Sequence, residues 1–268
     1  MKNIFKVVLV ALVALFLGAC SDNNDKSKTQ EKKVIKIGAT PIPHAEILQE
    51  VKKILAEEGY TLKIVEFTDY VTPNIAVEEG ELDANFFQHV PYMEEFNKNK
   101  NTHLVATAKV HLEPMGVYSH KIKSLDEIKD GDTIAVPNDP TNESRALDIL
   151  QKEGLLTFKD VELKTAKDIL DNPKNLKIKE LDAPQLPRVL DEVTAAVINT
   201  NYALLAKLNP LKDALALESK DSPYVNVIAV KKGNENKPYI KALDKAINSD
   251  AIKKFIRTKY KGAIIEAF

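Results

Sequence analysis

Along this chain the spacing of apolar residues switches repeatedly between a period of two and a period near 3.6, which is how strands interleaved with helices read. Val34-Ile35-Lys36-Ile37-Gly38-Ala39 predicts a strand closed by a turn at Pro41 to Pro43, and Ala45 to Glu58 carries helical spacing stopped by Gly59. Leu62 to Phe67 predicts the next strand, Thr72 to Glu79 a helix stopped at Gly80, and Leu82-Asp83-Ala84-Asn85-Phe86 a third strand. Strands separated by helices imply an α/β fold with a parallel sheet.

From His103 to Tyr118 the chain reads as extended, interrupted by Pro114 and Gly116. The rhythm then restarts with a strand at Thr133 to Val136 and a helix from Asn142 to Glu153, which marks a second lobe. Leu176 to Leu181 and Ala195 to Ile198 predict further strands, with Pro184 and Pro187 bounding a short helix between them. That lobe ends near Pro223. Val225 to Val230 is another strand, and Lys237 to Tyr260 is helical with an interruption around Ser249. Periodicity does not say whether this tail rejoins the first lobe. If it does, two segments link two α/β lobes, and ligands prefer the cleft between such lobes.

The start of the chain adds a location. Lys2 and Lys6 precede an apolar run from Val7 to Phe16, too short to span a bilayer comfortably, and Leu17-Gly18-Ala19-Cys20 closes it with small residues before a cysteine. Cys20 is the only cysteine, so neither an internal disulfide nor a thiolate cluster can form. The reading is a lipoprotein signal peptide over residues 1–19, with Cys20 as the acylated lipid attachment site holding the protein at the extracytoplasmic face of the cell membrane. Residues 20–33 hold no apolar side chain after Cys20 and read as a flexible tether. An ordinary secretory peptide with an incidental cysteine, or an uncleaved anchor, would leave the folded part in the same compartment.

Charge narrows the function further. The chain carries 38 Lys+Arg against 39 Asp+Glu, and removal of residues 1–19 takes away only Lys2 and Lys6. Near-neutrality without a basic stripe excludes nucleic acid as the partner. No G-x-S-x-G, Walker loop, G-x-G-x-x-G or H-E-x-x-H occurs, so no enzyme activity and no cofactor are expected. Of the five histidines, His103, His111 and His120 read as structural. Only His44 and His89 sit at strand ends, far apart in sequence, and no metal site is expected.

Two segments carry candidate binding chemistry. Asp83-Ala84-Asn85-Phe86-Phe87-Gln88-His89-Val90-Pro91-Tyr92 puts two phenylalanines, an imidazole and a tyrosine at the carboxyl edge of a sheet, where they would wall an apolar pocket, one of the two phenylalanines being expected to pack the following helix instead. Val136-Pro137-Asn138-Asp139-Pro140-Thr141-Asn142-Glu143-Ser144-Arg145 is a strand, a proline-bracketed turn and a helix start. It leaves amide donors free at the helix end, with an arginine one turn inside that could fork onto a carboxylate. A surface pairing of Arg145 with Glu143 or Asp148 fits the spacing equally well. Asn199, Asn201 and Asn226, at strand ends, could accept from an ammonium group, or simply form turns.

Taken together, LGAC, GATPIPHAEIL, DANFFQHVPY, AVPNDPTNESRAL, LDAPQLPR, AAVINTNYA and SPYVNVI resemble the NlpA family, the substrate-binding lipoproteins of methionine ABC importers. The match runs from Cys20 to the end. The resemblance implies a two-lobe type II periplasmic binding protein fold, with residues 34–115 and 225–268 in lobe I and 116–224 in lobe II. It also implies that Tyr70, Phe86, His89 and Tyr92 surround a thioether, that Arg145 holds a carboxylate, and that Asn142, Asn199 and Asn226 complete the polar end. The implied partners are L-methionine, an ABC permease with its ATPase, and the membrane through the N-terminal lipid. Rival readings are a receptor for D-methionine or a methionine-containing dipeptide, an enzyme on the same fold, and a surface adhesion lipoprotein.

Overall fold

The computed structural model describes residues 32–268, so the signal peptide, Cys20 and all of the tether up to Glu31 lie outside the described residues. The last two tether residues are already docked. Lys32 pairs with Asp83, and the Lys33 carbonyl accepts the Thr61 N–H at 2.8 Å.

In chain order the strands are β1 (Val34–Ala39), β2 (Thr61–Glu66), β3 (Ala84–His89), β4 (Leu104–Leu112), β5 (Gly116–Tyr118), β6 (Thr133–Pro137), β7 (Thr157–Phe158), β8 (Ile169–Asp171), β9 (Lys177–Leu181), β10 (Ala195–Ile198), β11 (Ala216–Leu217), β12 (Val225–Lys231) and β13 (Ile265–Glu266). The helices are α1 (Glu46–Glu57), α2 (Thr72–Glu78), α3 (Val90–Lys100), α4 (Pro140–Lys152), α5 (Thr200–Leu205), α6 (Pro210–Asp213), α7 (Pro238–Ile247) and α8 (Asp250–Tyr260). Among the described residues no helix is long and apolar enough to cross a membrane.

Among the described residues these elements build two large sheets, one for each lobe, and a separate two-stranded pair of β7 with β8. The first has the order β13-β4-β12-β3-β1-β2 and the second β11-β5-β10-β6-β9. The tail does return: β12 runs antiparallel between β3 and β4, so the first sheet is mixed rather than purely parallel. Among the described residues two segments cross between these two sheets, residues 113–115 from β4 to β5 and 218–224 from β11 to β12.

Local chemistry explains the elements. Ile47, Leu48, Val51 and Leu55 share one face of α1 and pack against Ile35 and Ile37 of β1, all fully buried. Gly59, at φ 80, releases the chain from the helix where a side chain would be strained. In β10 successive residues serve opposite faces: Ala195 and Val197 pack with Leu147 and Leu150 of α4, whereas Ala196 and Ile198 pack with Tyr118 and Leu186.

The third strand starts later than periodicity suggests. Asp83 turns its carboxylate to the Lys36 N–H at 2.8 Å, and Leu82 tucks under Gly38, where an added Cβ would lie 2.7 Å from its Cδ1. Both residues therefore act before the ladder begins, and the strand runs on to His89 because Asn226 of β12 pairs there.

Candidate functional site

A cavity lies between the sheets, and seven of the eight candidate residues line it: Tyr70, His89, Tyr92, Asn142, Arg145, Asn199 and Asn226. One end is aromatic. Tyr70 stacks on Phe87 at 5.7 Å between centroids and meets Tyr92 nearly edge-on at 5.8 Å. The Tyr92 hydroxyl donates to the Tyr70 carbonyl at 2.9 Å, so the wall is braced by its own polar atoms.

His89 has a double task at the junction of β3 and α3. Its Nδ1 accepts the Tyr92 N–H at 3.1 Å and so caps α3; that tautomer leaves Nε2–H to donate to Asn142 Oδ1 at 3.3 Å across the cleft. Burial, with help from nearby Arg145, pulls the imidazole down to about 3, so it is neutral at physiological pH.

Phe86 departs from expectation. It is fully buried in the core of the first sheet, edge-on to His44 at 4.6 Å and to His111 at 5.3 Å, and does not line the cavity. Its neighbour Phe87 lines the cavity instead. Adjacent strand residues point to opposite faces, so one phenylalanine had to turn away.

The other end is polar. The start of α4 does not keep its donors free: Asp139 caps it, accepting the Asn142 N–H at 3.0 Å and the Asn142 side-chain amide at 2.9 Å. That fixes the Asn142 oxygen toward Asn199, whose Nδ2 donates to it at 2.9 Å. Asn199 Oδ1 is then a buried acceptor with no partner among the described residues. Asn201 is used differently, because its oxygen accepts the Tyr70 hydroxyl at 2.6 Å. Asn226 Oδ1 accepts from His44 Nε2 at 3.0 Å.

Arg145 lies one turn beyond Asn142 on the same face of α4 and is 3% exposed. Neither Glu143 nor Asp148 pairs with it. Its Nε donates to Glu218 Oε1 at 2.8 Å, its Nη2 donates to Glu218 Oε2 and to the Glu113 carbonyl, and the Tyr224 ring covers one face at 4.5 Å.

Glu113 is a lining residue that sequence reasoning missed. Its carboxylate is buried and accepts from His111 Nε2 at 2.7 Å, with His44 Nε2 at 3.2 Å. Burial pushes this carboxyl above its usual range, against the pull of His44 and Arg145. Burial likewise pulls His44 down to about 4 and His111 to about 3. His44, His111 and Glu113 thus converge within 4.8 Å as a set that could hold a metal ion, a convergence that the spacing of His44 and His89 did not suggest. As they stand, His111 donates to the carboxylate, while the Nε2–H of His44 goes to Asn226 with the carboxylate close beside it. Pro114 biases Glu113 toward extended backbone, but nothing in the local sequence tells which way its carboxylate faces.

A model of the NlpA lipoprotein family matches residues 35–268. The chain is 44% identical over 274 residues to the methionine-binding lipoprotein MetQ of Bacillus subtilis, covering 99% of this chain and 98% of that protein. It is 40% identical over 269 residues to the D-methionine-binding lipoprotein MetQ of Salmonella typhi, covering 98% of this chain and 99% of that one. A nutrient binding protein from Burkholderia cenocepacia, solved bound to methionine, superposes with a TM-score of 0.85 at 48% identity, over 87% of this chain and all of the other.

Proposed function

The chain belongs to the NlpA lipoprotein family, and on that premise we propose that it is a lipid-anchored receptor that captures methionine outside the cytoplasmic membrane and delivers it to an ABC importer. The observation that carries this reading is a single cavity with an aromatic wall at one end and, at the other, both an arginine and a buried carboxylate. A free amino acid with a thioether side chain has those three features in that order.

Each part has a physical task. A polarizable sulfur against the rings of Tyr70, Phe87 and Tyr92 gains about 0.3–1.5 kcal/mol per contact. The ligand carboxylate meets Arg145, while the ammonium meets the free oxygen of Asn199 and the Glu113 carboxylate, with Asn226 beside them. Because the ligand is a zwitterion, opposite charges at the polar end of the cavity match it better than either alone.

Residues 34–115 with 225–268, and residues 116–224, act as the two lobes. Ligand bound to one lobe draws in the other through Asn142, Arg145 and Asn199, which shifts an open population to a closed one. The closed form is what the permease and its ATPase engage, and Cys20 keeps the receptor at the membrane.

Isothermal titration of refolded Ser21–Phe268 with L-methionine, D-methionine and glycyl-methionine tests this. Submicromolar binding of L-methionine over the other two is the expected result. Preference for D-methionine, the ligand in the name of the Salmonella typhi relative, would change the ligand and keep the mechanism. No heat with any of the three would overturn the methionine reading.

A further inference from the structure

Three of the five N–H hydrogens of Arg145 are spent before any ligand arrives. Nε–H and one Nη2–H go to the two oxygens of Glu218, and the second Nη2–H goes to the Glu113 carbonyl at 2.7 Å. Among the described residues no acceptor takes the two Nη1 hydrogens. Glu218 does not line the cavity, although Arg145 does. The carboxylate therefore grips the guanidinium from behind.

Glu218 is itself held in place. Its Oε2 accepts the Met115 N–H at 3.2 Å, and its Oε1 accepts the Ser222 hydroxyl at 3.1 Å. Glu113 and Met115 belong to one crossing between the sheets, and Glu218, Ser222 and Tyr224 to the other. Both crossings thus converge on one guanidinium, with Tyr224 stacked on its face.

We infer that Glu218 is a positioning residue for carboxylate recognition: it anchors the Nε and Nη2 side of Arg145 to the two lobe crossings and presents Nη1 alone to the ligand. This rests on the reading that the ligand carboxylate meets Arg145. The fork-to-fork pairing through Nε and Nη2 that arginine usually offers a carboxylate is already taken. The ligand carboxylate is met end-on, by a group that cannot swing to follow a misplaced one. Glu218 also balances the buried positive charge, so that the site favours a zwitterion over a simple organic anion.

The test is Glu218→Gln, which keeps the shape but sets an amide N–H against an Arg145 N–H. Titrations compare L-methionine with L-methioninol, whose carboxylate is reduced to an alcohol. The expected result is a loss of roughly 10- to 100-fold for methionine, as for a displaced charge-assisted bond, with methioninol affinity unchanged. Equal losses for the two ligands would reduce Glu218 to a fold residue and overturn the inference, as would unchanged or tighter methionine binding. If the wild-type protein bound no methionine at all, the receptor reading would fall and take this inference with it. Should Glu218→Gln not fold, the wild-type protein still decides the matter. The chain has only three arginines, Arg145, Arg188 and Arg257, so the Arg145 Nε–H resonance is assignable by NMR. It is expected to stay protected and unshifted on methionine addition, and a large shift, meaning that the fork leaves Glu218 for the ligand, would overturn the inference.

Discussion

The Tyr70 hydroxyl donates to the side-chain oxygen of Asn201 at 2.6 Å, joining the loop after β2 in the first sheet to α5 beside the second. This bond closes the aromatic end of the cavity, and the Tyr202 hydroxyl reinforces it by donating to the Thr68 carbonyl at 3.0 Å. Tyr70 thereby acts twice, as a ring in the wall and as a clasp between the lobes.

Tyr70→Phe keeps the ring and removes the clasp. A net hydrogen bond is worth about 0.5–1.5 kcal/mol, so methionine affinity should weaken by about 2- to 12-fold. Isothermal titration measures this. An unchanged Kd would mean that the bond is equally present in the open form.

Arg145→Ala should abolish methionine binding and also lower stability, because it strands the Glu218 carboxylate, whose side chain is only 10% exposed. Breaking such a pair from one side costs on the order of 3 kcal/mol. The double variant Arg145→Ala/Glu218→Ala should recover much of that stability without recovering binding. Denaturant unfolding of the two singles and the double provides the cycle.

The two adjacent phenylalanines should separate stability from binding. Phe86→Leu alters the packed core around His44 and His111 and should cost about 1–2 kcal/mol in denaturant unfolding, with methionine affinity nearly unchanged. Phe87→Leu removes a ring from the cavity wall and should weaken methionine binding with the smaller loss of stability. The reverse pattern would exchange their roles.

Acid should destabilise the protein partly through His89. Its imidazole is held at about 3 in the fold against 6.5 in the unfolded chain, so between those values the unfolded state binds a proton that the folded state refuses. Stability is therefore lost as pH falls below 6.5, by about 1.4 kcal/mol per pH unit for this one group. His89→Asn keeps a helix-capping oxygen for α3 and does not titrate. The stability gap between wild type and variant should narrow by roughly 2–3 kcal/mol from pH 6.5 to pH 4.5, read by denaturant unfolding at each pH. A constant gap would mean that His89 titrates normally in the fold.

Much of this protein was legible in its residues because the information is local. The apolar spacing of Ile47, Leu48, Val51 and Leu55 with Gly59 behind it dictates α1, and the proximity of Asn142 and Arg145, three residues apart, puts both on one face of α4. The run from Phe86 to Tyr92 likewise announces an aromatic strand end. Strand alternation tells that Phe86 and Phe87 face opposite ways, but only the packed sheet decides that Phe86 meets His44 and His111 while Phe87 meets Tyr70. The insertion of β12 between β3 and β4, the pairing of Arg145 with Glu218 and the meeting of His44 with His111 and Glu113 join residues roughly 70 to 140 positions apart. Periodicity reports how a segment sits on its nearest surface, a matter of 2.0 or 3.6 residues per repeat. Which distant charge neutralises a buried guanidinium is decided by which carboxylate the chain crossings bring beside it, and that arrangement exists only once the lobes have packed.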